Sequence, residues 1–216
     1  MVPAKKTALY FILREWCNLG FMLYFKKIET KYIEPLPVDK PIIFVGNHNN
    51  TFIDPILIAT NTRLYPAFLA MAAAFKKPVV AKFLHAIRML PVYRQRDGVD
   101  SIKKNELIFD ISIQQLEANL PFVIFAEGSH SAYRRLRSFK KGFARIGFEA
   151  LKRNNGELDV QIVPVGVEYR QFGKMNQEVT QTFGKAIPLK DYWEEYQKDQ
   201  DAALNNLKKN VYHSLQ

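Results

Sequence analysis

A histidine and an aspartate follow an apolar run closely enough to act as a pair. His48 and Asp54 lie in the segment Gly46–Pro55, directly after Pro41–Val45, whose residues predict a short buried strand. The Asp-Pro sequence predicts a helix start with Asp54 as N-cap. One strand–loop–helix turn would bring the carboxylate to the imidazole and give a general base suited to neutral pH. The alternative is that Asp54 only caps the helix and His48 only hydrogen-bonds to the backbone.

A second loop combines an acidic residue with a run of basic ones. The apolar segment Phe122–Ala126 predicts a buried strand, and Glu127–Ser131 follows it. Between Ser131 and Ile146 the sequence has no acidic residue. Its cations there are Arg134, Arg135, Arg137, Lys140, Lys141 and Arg145. Arginine binds phosphate bidentately, so this segment is predicted to bind a phosphate or an anionic lipid. The alternative is a solvated basic helix face.

Composition restricts the partners and the kinds of site. The 216 residues carry a net charge of +10 with a pI near 9.6, which favours nucleic acid, anionic lipid headgroups or a phosphorylated substrate as partner. No nucleic acid is expected, because the aromatic residues at the N-terminus do not alternate with the basic stretch and no nucleic-acid motif occurs. The single cysteine, Cys17, excludes a disulfide framework and a cysteine-based zinc site and fits an intracellular location. No metal site is expected, since no paired-histidine spacing occurs.

Apolar runs that alternate with amphipathic segments predict the fold class. We expect an α/β fold: a single domain with a central, mostly parallel sheet flanked by helices. Further strands are predicted over residues 63–71, 89–94, 160–169 and 179–183, the last at a sheet edge. Helices are predicted over residues 75–86, 100–119, 141–153 and 191–213. Residues 28–41 contain three prolines and are predicted to be a linker.

The N-terminal segment has the composition of a helix at a membrane surface. Residues 4–27 are rich in apolar and aromatic side chains and are bracketed by two lysines on each side. Trp, Tyr and flanking Lys anchor helices at a bilayer interface, so we expect residues 1–31 to form an amphipathic docking segment before a domain over 32–216. The alternatives are a core helix or an oligomer contact. Its uncharged apolar stretches are about seven residues long, against about 20 for a transmembrane helix.

Four short segments, taken together and in order, carry a family resemblance. They are Asn47-His48 with Asp54, Leu90–Arg94, Phe125–Ser131 and Val163–Val167. In this order they resemble the glycerolipid acyltransferase family, whose members act on lysophosphatidate and glycerol-3-phosphate. The resemblance covers about residues 20–190 and makes 32–216 an acyltransferase domain.

The resemblance implies a reaction and a set of site residues. A fatty acyl group would pass from acyl-CoA or acyl-ACP directly to a glycerol hydroxyl, with no further cofactor. His48 would be the general base, Asp54 would orient it, and Arg94 would bind the phosphate. The residues expected to bind the substrate are Arg94, Glu127, Gly128, Ser129, His130, Lys140 and Lys141.

Two positions depart from the family pattern. Five residues instead of four separate His48 from Asp54, and His130 stands where an arginine usually contacts the phosphate. The second departure bears on which acceptor binds more than on the acyl-transfer chemistry.

The expected partners are an acyl thioester donor, a phosphorylated glycerolipid acceptor and anionic membrane lipids. The expected location is peripheral, at the cytoplasmic face of a bacterial inner membrane. The alternative function is a non-catalytic, membrane-associated lipid-binding protein of the same fold. The His48–Asp54 pair argues against it, because a protein that only binds lipid needs no general base.

Overall fold

The fold alternates strands and helices along the chain. In this computed structural model the described residues are 7–62, 64–93, 101–128 and 135–216. Their helices are α1 (Ala8–Tyr24), α2 (Ile53–Asn61), α3 (Pro78–Ala86), α4 (Ser101–Glu117), α5 (Gly142–Arg153), α6 (Trp193–Lys198) and α7 (Gln200–His213). Their strands are β1 (Phe25–Tyr32), β2 (Ile42–Gly46), β3 (Ala67–Met71), β4 (Met89–Val92), β5 (Phe122–Phe125), β6 (Gln161–Tyr169), β7 (Gln177–Phe183) and β8 (Ile187–Pro188).

The described strands form one sheet. Their order is β1-β7-β6-β2-β5-β3-β4, and β8 pairs with β6. All pairs are parallel except β6–β7 and β6–β8, which are antiparallel. The predicted α/β domain with a central, mostly parallel sheet is confirmed.

The central strands are covered on both faces, which explains their continuous apolar sequence. In β2, Ile43 and Val45 join a core cluster with residues of α4, α5 and α7, while Ile42 and Phe44 join one that includes Tyr10 of α1. Successive residues of a strand point to opposite faces, so one short strand serves both clusters. The sheet is thereby held between two layers of helices.

The carboxyl ends of β2, β3, β5 and β6 lie at one edge of the sheet because these strands are parallel. We call this the carboxyl edge. Strands β1 and β7 run the opposite way, so β1 begins there: the ring of Phe25 lies 6.4 Å, between centroids, from the ring of Tyr169 at the end of β6. Helix α1, which ends at Tyr24, therefore also reaches the carboxyl edge.

Helix α1 packs on the domain with one side and exposes the other. The side chain of Thr7 caps it by accepting a hydrogen bond from the Tyr10 N–H (3.1 Å), and Tyr10 and Phe21 are buried. Its exposed apolar residues are Leu9, Phe11, Ile12, Trp16, Leu19, Met22 and Leu23. Over the described part of the chain, no helix combines the length and the apolar character needed to cross a bilayer.

The linker predicted over residues 28–41 is wrong for residues 28–32, because residues 25–32 form β1. This strand carries lysines at positions 26, 27 and 31 and lies at the edge of the sheet, where charged residues are common and the apolar alternation is weak. It runs through residue 31, the end of the predicted docking segment. The role of that segment at a membrane stays a prediction.

Two further sequence predictions are wrong in detail. The strand predicted at 179–183 as a sheet edge is part of β7, which lies between β1 and β6. The single helix predicted over 191–213 is divided into α6 and α7. The division is at Asp199, whose side chain accepts a hydrogen bond from the Ala202 N–H (3.0 Å) and caps α7.

Candidate active site

The loop after β2 is fastened to strand β6 by two asparagines. The side-chain amide of Asn47 donates to the Val167 carbonyl (3.0 Å), and its oxygen accepts from the Val167 N–H (2.8 Å). The amide of Asn49 donates to the same carbonyl (2.9 Å). His48 lies between the two, so its backbone is held on both sides. The sequence alone does not predict these roles, since the contacts join residues about 120 positions apart.

Asp54 is buried and accepts three hydrogen bonds. Its Oδ2 lies 3.1 Å from His48 Nδ1 and accepts from the Asn50 N–H at 2.6 Å. Its Oδ1 accepts from the Tyr169 hydroxyl at 2.5 Å. Burial, followed by the nearby Asp54 charge, holds the pKa of Tyr169 well above its usual range, so this hydroxyl remains a donor.

The contact with Asp54 determines which nitrogen of His48 can act as a base. A carboxylate accepts hydrogen bonds, so the proton of the neutral imidazole lies on Nδ1 and the lone pair on Nε2. The structure thus brings together the two residues singled out from the sequence. Their catalytic roles stay predictions.

The N-cap assigned to Asp54 from the sequence is wrong. Helix α2 begins at Ile53, two residues before Pro55, the predicted first helical residue. The side-chain oxygen of Asn50 accepts hydrogen bonds from the N–H groups of Phe52 and Ile53, both at 3.1 Å. Asn50 therefore satisfies the first helical donors, and the Asp54 carboxylate remains available to His48.

The imidazole of His48 lies flat on an aromatic ring. Its centroid is 4.0 Å from that of Phe125, the last residue of β5, and the ring planes differ by 12°. A side chain at Gly46 would bring its Cβ to 3.1 Å from the Phe125 ring, so glycine allows this ring to lie there. The stacking leaves the imidazole little freedom to rotate.

Glu127 supports the His48 loop from the neighbouring strand end. It is 6% exposed, and its carboxylate accepts hydrogen bonds from the backbone N–H groups of Arg137 and His48. Burial raises the pKa of Glu127, while these two hydrogen bonds oppose the rise. Gly128 follows with φ = +70°, a conformation that favours glycine, and its N–H donates to the Phe125 carbonyl (3.1 Å).

The remaining predicted binding residues have different surroundings. Lys140 donates its backbone N–H to the Ala126 carbonyl (2.7 Å), next to Glu127. The ammonium of Lys141 forms an ion pair with Asp201 of α7 at 3.0 Å. Arg94, Ser129 and His130 lie outside the described residues.

A cavity of ≈ 1020 Å³ adjoins the His48 loop and is large enough for a substantial ligand. Asn47, Asn49 and Glu127 line it, together with the cationic side chains of Arg135 and Arg170. Arg170 also pairs with Glu178 (2.9 Å). No three His, Cys, Asp or Glu side chains converge as a metal site in the ranges that the structure describes.

Comparisons with known proteins point to one family. The sequence pattern of the family described as Acyltransferase matches residues 27–168, which is more than half of the chain. The chain is 31% identical over 116 residues to glycerol-3-phosphate O-acyltransferase 2 of Saccharomyces cerevisiae, a match that covers 48% of this chain and 16% of that protein. It is 26% identical over 143 residues to a chloroplastic 1-acyl-sn-glycerol-3-phosphate acyltransferase of Arabidopsis thaliana, covering 65% of this chain and 37% of that one. The chain therefore spans well under half the length of both relatives.

A solved structure has the same fold. The crystal structure of the 1-acyl-sn-glycerophosphate acyltransferase of Thermotoga maritima superposes with a TM-score of 0.63, over 94% of this chain and 78% of that chain. The sequence identity is 18%, so the likeness concerns the fold alone.

Replacing Tyr169 with phenylalanine tests the hydrogen bond to Asp54. The change leaves one oxygen of a buried carboxylate without its donor, and bonds to charged groups contribute about 1.5–3 kcal/mol. We expect Tyr169→Phe to lower the free energy of unfolding by that amount in urea denaturation. The matched control is Tyr32→Phe, which removes an exposed hydroxyl bonded to the Asn61 carbonyl and should cost about 0.5–1.5 kcal/mol. Equal losses in the two variants would contradict the proposed importance of the buried bond.

The raised pKa of Glu127 predicts a pH-dependent difference in stability. A carboxyl that binds its proton more tightly in the folded than in the unfolded state contributes stability that is full below the unfolded pKa and is lost as pH rises through the folded pKa. The free energy of unfolding of the wild type minus that of Glu127→Gln should therefore fall as pH rises from about 4. Urea titrations of both proteins across acidic and neutral pH measure it. A difference that grows with pH would show that the pKa of Glu127 is lowered, so that its hydrogen bonds outweigh its burial.

Proposed function

The chain belongs to the Acyltransferase family, and from that we propose that it moves a fatty acyl group from an acyl thioester to a hydroxyl of a phosphorylated glycerolipid acceptor. The observation that carries the proposal is the contact between His48 and a buried Asp54 beside a large cavity. The names of two relatives, acyltransferases of glycerol-3-phosphate and of 1-acyl-sn-glycerol-3-phosphate, support the acceptor class.

In the proposed reaction, His48 is the general base and Asp54 orients it. Nε2 removes the proton of the acceptor hydroxyl while that oxygen attacks the thioester carbonyl carbon. A C–O bond forms, the C–S bond breaks, and the imidazolium returns the proton to the leaving sulfur. Asp54 stabilises the imidazolium through Nδ1–H. No covalent acyl-enzyme is required, and no Ser or Cys adjoins His48 in sequence.

Phe125 has two functions in this scheme. Its ring fixes the plane of the imidazole, and the contact between Nδ1 and Asp54 fixes the direction in which Nε2 points. Its π face also lies beneath the positive charge that His48 acquires during the reaction, and such contacts contribute about 0.5–1 kcal/mol or more.

The acceptor phosphate is proposed to bind beside Arg135, which lines the cavity. Arg94, which the family pattern associates with phosphate, and Lys140 are proposed to contribute to the same site. Glu127 is better explained as a support than as a ligand, because its carboxylate is engaged with the backbone of His48 and Arg137. It would hold the catalytic loop and the basic segment in fixed positions relative to each other.

The protein is proposed to work at a membrane, with α1 lying in the bilayer interface. The exposed fractions of Trp16 (71%) and Leu23 (81%), on a helix with five further exposed large apolar residues, support this, since contiguous apolar patches on a protein surface mark interaction sites. The identity of the donor, acyl-CoA or acyl-ACP, and the cytoplasmic face of a bacterial inner membrane stay predictions.

Substitutions in the His48–Asp54 pair test the proposed reaction. We expect His48→Ala and Asp54→Asn to lower kcat/KM by about 10²–10⁴-fold, the usual range for loss of a general base. The assay mixes labelled acyl thioester with glycerol-3-phosphate, lysophosphatidate or a lysolipid without phosphate, in mild detergent.

The matched control is His85→Ala, a histidine substitution in α3 outside the candidate site, which should retain wild-type activity. Circular dichroism checks that all variants are folded. Near-wild-type activity in both site variants would refute the catalytic assignment. A folded wild type that transfers acyl groups to none of the acceptors would favour the non-catalytic lipid-binding function.

A variant with an altered outer face tests the role of α1. Trp16→Ser/Leu23→Ser should lower the partition coefficient onto phosphatidylglycerol-containing vesicles by about tenfold or more, because two large apolar side chains no longer enter the lipid. Substitution is preferable to deletion, since α1 also supplies the buried Tyr10 and Phe21. Vesicle flotation measures the change, with Val38→Ser, 61% exposed before β2, as control. Undiminished binding would exclude α1 as the docking element.

A further inference from the structure

Helix α3 carries apolar side chains on its outer side. None of its residues is buried, and the exposed fractions are 82% for Val79, 46% for Phe83 and 39% for Val80. Residues four apart share one side of a helix, so Val79 and Phe83 lie together with Val80 beside them. We call these three residues the α3 face. A surface helix normally turns its apolar stripe towards the core, so the packing of the domain does not explain this face.

The surroundings of the α3 face are cationic. Lys76 and Lys77 precede the helix, Lys82 lies within it, and all three are exposed. The sequence has no Asp or Glu at all from residue 55 to residue 96. This charge pattern complements an anionic bilayer, in which apolar side chains enter the boundary between headgroups and acyl chains while lysines reach the lipid phosphates.

Helix α3 connects two parts of the molecule that the proposed function brings to the membrane. The Thr7 hydroxyl donates a hydrogen bond to the carbonyl of Ala86 (2.6 Å), so the end of α3 touches the N-cap of α1. The start of α3 follows strand β3, which ends at the carboxyl edge with Met71, itself 47% exposed. The α3 face therefore belongs to an element that adjoins both α1 and the edge that carries His48.

We propose that α3 is a second membrane-contacting element, in which the α3 face enters an anionic bilayer and Lys76, Lys77 and Lys82 contact lipid phosphates. One helix lying on a bilayer leaves the protein free to roll about the helix axis. A second contact beside α1 removes that freedom and determines how the carboxyl edge faces the lipid. The inference rests on the proposed membrane association and is independent of the acyl-transfer chemistry.

A double variant on the α3 face provides the first test. Val79→Ser/Phe83→Ser should lower the partition coefficient onto phosphatidylglycerol-containing vesicles by about tenfold or more, measured by flotation. The matched control, Val38→Ser/Leu107→Ser, also removes two exposed apolar side chains, one of them on α4, which packs on the face of the sheet opposite to α1. It should bind within about twofold of the wild type. If the α3 variant binds as well as the control, α3 is not a membrane contact.

A fluorescent label provides a second test that does not depend on loss of binding. Phe83→Cys in a Cys17→Ser background accepts a polarity-sensitive dye at one position, because Cys17 is the only cysteine of the chain. We expect a blue shift on vesicles and quenching by lipids with brominated acyl chains. A protein that floats with vesicles while the dye remains in a water-like environment would overturn the proposal.

Two further measurements distinguish a membrane contact at α3 from a contact between copies of the chain and from an effect on the chemistry. If the wild type dimerises without lipid and Val79→Ser/Phe83→Ser is monomeric, the α3 face is a contact between copies and the proposal fails. Acyl transfer to an acceptor in detergent micelles should be equal for the α3 variant and the wild type. Vesicle binding through α3 without any acyl transfer would overturn the proposed function and leave this inference in place.

Discussion

The buried carboxylate of Asp54 is the constraint on which the candidate site depends. A charge removed from water is costly unless hydrogen bonds replace its hydration. Here the donors come from three parts of the chain: the imidazole of His48 after β2, the backbone of Asn50 before α2, and the hydroxyl of Tyr169 at the end of β6. Movement of any of them removes a hydrogen bond from the buried carboxylate, and loss of the Tyr169 hydroxyl leaves Oδ1 without its donor. The contacts that orient the imidazole are therefore the same contacts that make the buried charge tolerable.

Strand β6 extends this constraint to the rest of the domain. The carbonyl of Val167 accepts hydrogen bonds from the side chains of Asn47 and Asn49 in the His48 loop. The hydroxyl of Tyr169, two residues further along, donates a hydrogen bond to Asp54. On its other side β6 pairs with β7, and β7 pairs with β1, which continues from α1. The ring of Phe25, at the junction of α1 and β1, packs against Tyr169. Helix α1 and the His48 loop are thus joined through β6 and the two strands on one side of it, β7 and β1.

Features with local contacts could be predicted from the sequence, and features with distant contacts could not. His48 and Asp54 are six residues apart, so a strand–loop–helix pattern suffices to predict their contact. Tyr169 lies 115 residues from Asp54 and ends an apolar run like several others, so nothing local distinguishes it. From the sequence, Phe125 is recognisable as the end of a strand and the start of a family segment, but not as the ring that stacks on His48. The family pattern predicts an acidic residue at Glu127, but not that its carboxylate turns back to the backbone of the His48 loop. In the fold, buried strands were predictable and β1 was not, because lysines mask its periodicity.

Helix α1 ends at Tyr24 and strand β1 begins at Phe25, with no residue between them. A helix joined to a sheet without a loop cannot tilt alone, so the sheet follows its inclination. On a bilayer, the height of His48 Nε2, the proposed catalytic nitrogen, above the acyl chains would then be set by the depth at which α1 rests. The hydroxyl groups of a glycerol backbone lie at different depths in a leaflet. Such an arrangement would favour one hydroxyl by its depth, so regioselectivity would depend partly on how the protein sits in the lipid.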